Sequence, residues 1–293
     1  MPDDLENLTS QLGGAFQVDP EALGAHPRFS LYKNADKAAT EQASRRRSAL
    51  ERLKEQRDDR VNRLRNLVFT DSEEEEENET GTGFVKSTER KPRNAHAGKL
   101  MLSEWLIDIP ESLSAEWQMV PAPVGKRVLV VANRGITTAY YKSGRIMKQF
   151  QSRLPGGQKS SNSSYTVLDC ISDFCPEGKY RKLYCLDVLY WNRSEMIDYP
   201  FSVRRFMLQS RLEESPELAV PTGKFTYTFH PLPMCQCTKE DMEDMMKTDF
   251  GFELDGLLFY YSEVVYEPGQ SPLIGWLKPW MLPEILNVPV PES

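Results

Sequence analysis

Histidine is almost missing from this chain. Three occur in 293 residues, His26, His96 and His230, so a triad or a histidine-based acid–base scheme has little material. Cysteine is scarce too. Cys170, Cys175, Cys185, Cys235 and Cys237 do not space themselves as zinc ligands, because Cys235 and Cys237 are two apart and lack histidine partners. Neither metal nor cofactor is expected. An odd thiol count without an apolar signal segment leads us to expect reduced cysteines in cytosol or nucleus. No apolar run reaches membrane-spanning length, so no membrane partner is expected. Net positive charge is absent: the balance of −7 excludes a general nucleic-acid coater, although a local site needs only a few cations. A Gly-rich phosphate loop with a following lysine and a nucleophile elbow are both lacking, and no enzyme signature is complete.

Aromatic residues are lacking at one end only. All five tryptophans (Trp105, Trp117, Trp191, Trp276, Trp280) follow position 100. A segment poor in large apolar residues cannot offset its ordering entropy. The first ninety or so residues therefore read as a tail that is flexible when free, followed by one folded domain of roughly 190 residues, enough for an ample core. Within the tail, Leu5, Leu8, Leu12, Phe16 and Val18 make a short amphipathic helix with an extended end. Two readings stand: a frayed helix docking on its own domain, or an export-type signal whose apolar anchors enter a receptor groove. From about Glu41 a basic helix is expected, carrying Arg45, Arg46, Arg47, Arg52, Lys54, Arg57, Arg60, Arg63 and Arg65. Leu50, Leu53, Val61, Leu64 and Val68 fall near one face, interrupted by Arg57. A helix this basic is not expected to bury in a small core; it is either a solvated charged helix or a binder of acidic surfaces or phosphates, for which arginine suits bidentate capture. The run Glu73 to Glu77, then Gly81, Gly83 and Pro92, reads as an extended linker.

From about Gly98 the pattern becomes globular. Strands are expected at 127–132 (RVLVVA), 166–171, 182–190 (KLYCLDVLY) and 257–261 after the Asp255-Gly256 turn. Helices are expected at 103–109 and, behind a Thr238 cap, at 238–247. The fold class is α+β with antiparallel-rich sheets. The residues left to carry chemistry are aromatics and cations near turns: Trp276 in a Gly-Trp-Leu-Lys-Pro-Trp run, Trp105 at the entrance of the first expected helix, Lys126 and Arg127 opening a strand, and Lys142 before Ser143-Gly144. Stacking on indole rings together with cations for phosphates is how single-stranded or capped nucleotides are held, and an N7-methylated guanine, being cationic, is drawn to an indole face. Core packing is the alternative for each tryptophan.

Taken together, HPR at 26–28, SRRR at 44–47, LMLSEWLID at 100–108, PVGKR at 123–127, KSG at 142–144, LPGG at 154–157, DGLLFY at 255–260 and GWLKP at 275–279 resemble the snurportin family, import adaptors for spliceosomal ribonucleoproteins bearing a trimethylguanosine cap. The resemblance implies four segments: 1–25 binding, through Leu5, Leu8, Leu12, Phe16 and Val18, an exportin acting with Ran; 26–68 binding importin-β through Arg28, Arg45, Arg46, Arg47, Arg52, Arg57, Arg60, Arg63 and Arg65; 69–97 a flexible acidic linker; and 98–290 a cap-binding domain with the fold of mRNA capping enzymes (guanylyltransferases). It implies stacking of the base on Trp276, Trp105 along the methylated edge, Leu102 and Ser103 at the base, and Lys126, Arg127, Val128 and Lys142 toward ribose and phosphates. It further implies capped small nuclear RNA as partner and shuttling between cytoplasm and nucleus. Capping enzymes form a lysine–GMP adduct within a Lys-x-Asp-Gly-x-Arg element. The similar fragment here, 122–127, has Ala122 at the nucleophile position and Val124 at the aspartate position, which implies an adaptor rather than an enzyme.

Overall fold

The computed structural model describes residues 35–69, 95–173 and 180–290. The leucine-rich segment 1–25, Arg28, Cys175 and the acidic run lie outside these. Among the described residues the domain is two stacked sheets. The first runs, in spatial order, β1 (Met101–Trp105), β12 (Gly269–Leu277), β11 (Leu254–Tyr261), β2 (Trp117–Pro123) and β10 (Cys235–Gln236). The second runs β5 (Ile146–Phe150), β4 (Ile136–Tyr141), β3 (Gly125–Asn133), β6 (Tyr165–Asp173), β7 (Arg181–Trp191) and β8 (Ser194–Glu195), with β9 (Tyr227–Pro231) also on β7. Pairing is antiparallel except for β1 with β12 and β9 with β7. The class is α+β with antiparallel-rich sheets, as expected.

Both sheets are covered on both faces, which is why their central strands read as apolar runs rather than alternations. Between the sheets, Leu129, Val131, Ile171 and Leu186 meet Val120, Ala122, Leu258, Tyr260 and Ile274. The far face of the second sheet, with Val128, Val130, Leu168 and Leu183, packs on Leu208 and Leu212 of a helix spanning Phe201–Glu213. The far face of the first, with Trp117, Met119, Leu257 and Phe259, packs on Met242 and Met246 of the helix Lys239–Met246 and on Leu282. The latter helix starts as expected: the Thr238 hydroxyl accepts from the Asp241 amide at 3.1 Å. Four cysteines, Cys170, Cys185, Cys235 and Cys237, are free. Burial, then a neighbouring Asp241, pushes the Cys235 thiol up to about 12, so it stays an inert thiol at neutral pH.

Two expectations fail. The helix expected at 103–109 is replaced by the end of edge strand β1 and, from 106, by irregular chain, because an apolar run this short has no periodicity to separate helix from strand, and β1 pairs with β12. The helix Phe201–Glu213 was not anticipated, because Arg204 and Arg205 interrupt its stripe as surface residues would. Both are buried. Arg204 forks onto Asp187 at 2.8–2.9 Å and reaches the Val264 carbonyl at 2.9 Å, while Arg205 donates to the carbonyls of Cys185, Leu186 and Leu232.

A third correction concerns the arginine-rich segment. It forms one helix, Ala35–Phe69, and packs on the domain instead of remaining clear of it. Its docking face is Gln42, Arg46, Ala49 and Leu53, all buried, at the four- and three-residue steps of a single helix face. The Gln42 carboxamide accepts from the amides of Ile107 and Asp108 at 3.0 and 2.9 Å and donates to the Trp105 carbonyl at 2.7 Å. Arg46 donates to the Asp108 carboxylate and carbonyl at 2.8 and 2.7 Å, and its guanidinium lies 5.6 Å from the Trp117 ring. Arg45 and Arg57 pair with Glu104 and Glu263 at 2.7 and 3.1 Å. Arg47 and Arg52 are exposed. The side chains of Val61, Leu64, Val68, Arg60, Arg63 and Arg65 lie outside the described residues. Substituting Ala49→Glu should lift this helix: hydrogen exchange at the amides of 42–53 should accelerate by about tenfold or more. Thermal unfolding of the two-sheet domain should shift by no more than about 2–4 °C.

Candidate functional site

A cavity of about 540 Å³ opens at one end of the interface between the sheets. The first sheet contributes Leu102, Ser103, Glu104 and Trp105 from β1, Ala122 and Pro123 from β2, Asp255 and Leu258 from β11, and Gln270 and Trp276 from β12. The second contributes Gly125 and Arg127 from β3, Lys142 and Ile171. The chain crosses between sheets at Pro123–Gly125. There a Cβ on Gly125 would stand 2.3 Å from the Ser172 carbonyl oxygen and 2.7 Å from Ile171 Cγ2, so only glycine lets β3 come this close to β6.

The two tryptophans at the site are brought together by a break in pairing. β1 and β12 match Ser103 with Ser271, then resume with Glu104 opposite Gly275 and Trp105 opposite Trp276. The skipped stretch on β12 begins at Pro272, which has no N–H for the ladder and so belongs at such an irregularity. Without this slip the two indoles would be out of register. Trp105 is 47% exposed and Trp276 half-buried. The Trp276 carbonyl accepts from the Leu106 amide at 3.1 Å, which ties the strand end beyond Trp105. Trp105 therefore closes an edge strand rather than opening a helix.

The charges are largely committed. Arg127 forks onto buried Asp169 with two bonds of 2.9 Å, so only its remaining edge faces the cavity. Burial opposes its charge, but Asp169, Tyr260 and Tyr266 hold its pKa well above the ordinary value. Tyr266 donates to the second Asp169 oxygen at 2.8 Å and accepts from the Met101 amide at 3.1 Å. Burial, then the Asp169 charge, raises the Tyr266 phenol well above its usual pKa, so it stays a donor. Lys142 is exposed at the tip of the β4–β5 turn, where Gly144 takes a φ of 76° and donates to the Tyr141 carbonyl at 2.8 Å. Glu104 is held by Arg45 and Gln42. Asp255 sits where β11 slips register against β2 and is bonded by Lys278 at 2.7 Å.

Of the residues expected at a site, Leu102, Ser103, Trp105, Arg127, Lys142 and Trp276 are brought together. Lys126 and Val128 are not. Strand alternation turns them to the opposite face of β3 from Arg127: Val128 is fully buried in the second core and Lys126 is exposed outside the cavity. Glu104, Asp255 and Gln270 were missed; only the Asp255-Gly256 pair gave a signal, and it suggested a turn. Because Asp169 depends on Arg127, the two cations at the cavity should behave differently. Arg127→Met should cost about 3–5 kcal/mol of unfolding free energy by stranding a buried carboxylate, whereas Lys142→Met should stay within about 0.5 kcal/mol. Urea unfolding of both variants separates them.

The cavity lies within residues 99–279, which match the family model described as Snurportin1, m3G cap-binding domain. Residues 26–66 match a second model, described as Snurportin1. Among solved structures, the chain is similar to the ligase domain of LigD from M. tuberculosis (18% identity, TM-score 0.44, 61% of this chain and 59% of that one). It is also similar to the Chlorella virus DNA ligase-adenylate (10% identity, TM-score 0.41, 63% and 68%). The chain thus spans less than two thirds of the LigD ligase domain. With the cap-binding match alone extending over more than half of its length, this chain belongs to the snurportin family.

Proposed function

We infer that this protein is a bivalent nuclear import adaptor whose cavity takes the 2,2,7-trimethylguanosine cap of spliceosomal small nuclear RNA. The observation that carries the reading is the placing of Trp105 and Trp276 side by side on neighbouring strands at a cavity. A cationic purine stacks favourably on an indole, and each added methyl rewards apolar contact by roughly 1–3 kcal/mol. Leu102 and Ser103 would border the base, with Lys142 and the uncommitted edge of Arg127 toward phosphates.

The same reading assigns 26–68 to importin-β, through its arginines, and 1–25 to a leucine-signal exportin with Ran, so that the adaptor shuttles between cytoplasm and nucleus. The 26–66 family match supports the first assignment. Since Gln42, Arg45, Arg46 and Arg57 hold the domain, the receptor would first meet the exposed Arg47 and Arg52 and then displace the rest. The reading is non-catalytic. Ala122 is buried and lines the cavity; on this reading it takes the place of the capping-enzyme lysine, and a methyl group cannot form a phosphoramidate. Incubation with labelled GTP should therefore leave no covalent adduct, and an adduct would make the protein a nucleotidyltransferase.

Titration with a trimethylguanosine cap dinucleotide beside its monomethyl counterpart tests the site. The trimethyl form should quench tryptophan fluorescence at lower concentration. Trp276→Ala should weaken binding by about tenfold or more without changing the melting temperature appreciably. Quenching by neither cap would remove the cap from this cavity.

A further inference from the structure

Trp276 needs a floor. A single aromatic platform recognises a base by presenting one flat face, and an indole side chain turns freely about two bonds unless its other face is held. Trp276 pairs with Leu258 across the β12–β11 ladder. The same-face diagonal neighbour two residues earlier on β11 is Gly256, and such neighbours are within reach of aromatic side chains.

The fit at Gly256 is unusually close. A Cβ placed there would fall 2.2 Å from Trp276 Cζ2, 2.4 Å from Cη2 and 2.8 Å from Cε2. The two atoms bonded to the nearest one lie only 0.2 and 0.6 Å farther away. That is the signature of a point above the ring; a point beyond its edge would lie distinctly farther from both neighbours. So the six-membered ring lies flat over the Gly256 backbone. Ala122, the register partner of Gly256 on β2, carries the next smallest side chain. Gly256 has no left-handed φ, so its backbone conformation does not require glycine. What excludes a side chain is the ring.

We propose that Gly256 is a positioning residue for ligand recognition: its bare backbone supports one face of Trp276 and fixes the angle at which the other face meets the purine. This deepens the cap-binding reading and rests on it. The rotation needed to clear a methyl group removes the ring from stacking geometry, and base–aromatic stacking is a large share of such recognition.

The test is calorimetric titration of the full chain with a trimethylguanosine cap dinucleotide, as a cycle of Gly256→Ala, Trp276→Ala and the double variant. Gly256→Ala should weaken binding by about tenfold and alter the near-UV circular dichroism of tryptophan. In the Trp276→Ala background it should weaken binding no further, because residues acting through one another are non-additive. Gly256→Ala with Trp276→Phe, whose smaller ring leaves room, should recover part of the loss. If Gly256→Ala binds like the parent while Trp276→Ala does not, the proposal fails and the cap site stands. If Trp276→Ala also binds like the parent, both fail. If Gly256→Ala unfolds, the double variant, lacking the clashing ring, should fold; its failure to do so would locate the need for glycine in the backbone and overturn the proposal.

Discussion

The Asp169 carboxylate is the point on which the two sheets turn. It is buried on β6, in the second sheet, and every bond it makes reaches toward the cavity or the first sheet. Arg127 takes both oxygens from the adjacent strand. Tyr266, on the connection between β11 and β12, donates to one of them and holds the Met101 amide at the start of β1. A buried carboxylate is tolerated only when such partners satisfy it, and the geometry they demand fixes the strand bearing Trp105 relative to the sheet bearing Arg127. The cavity is shaped by this constraint together with the apolar packing around it.

How much of this was legible follows from what each residue does. β3, β6, β7 and β11 were legible because β-branched and aromatic runs buried on both sides have no other home. The Thr238 cap was legible because its chemistry is local. The helix Phe201–Glu213 was not, since burying Arg204 and Arg205 depends on Asp187 and on carbonyls of distant strands, none adjacent in sequence. β1 was misread because its register partner is about 170 residues away along the chain. The site showed the same division. Single residues such as Trp276, Trp105 and Lys142 stood out by type, but the side of β3 on which Lys126 falls depended on where the strand crosses from one sheet to the other. The bearing of Asp255 depended on a register slip against β2.

The arginine-rich helix shows why composition alone misjudges burial. Nine basic residues within 45–65 suggested a segment held in solvent, yet the docking face is built from a glutamine, an arginine, an alanine and a leucine. Gln42 bridges three backbone groups at the end of β1, and Arg46 takes the carboxylate and carbonyl of one aspartate. Each long side chain replaces water at polar groups at and just beyond the end of the edge strand. Amphipathicity on a hydrophobic scale does not detect a face of this kind, because its specificity lies in hydrogen bonds.

These pairings also decide what kind of ligand the cavity suits. Its two carboxylates are already answered, Glu104 by Arg45 and Asp255 by Lys278. Its one part-buried guanidinium, that of Arg127, is turned mainly to Asp169. With the strong charges matched internally, a ligand gains little by bringing a localised charge deep into the pocket, and more by presenting a broad, diffusely charged face to the indoles; on the proposed reading, phosphates would remain near exposed Lys142. A methylated purine has that distribution: methylation at N7 spreads a positive charge over the ring, and methyl groups on the exocyclic N2 remove donors that would otherwise seek acceptors already engaged. On the proposed reading, discrimination in such a cavity would arise because polar alternatives would find its partners occupied.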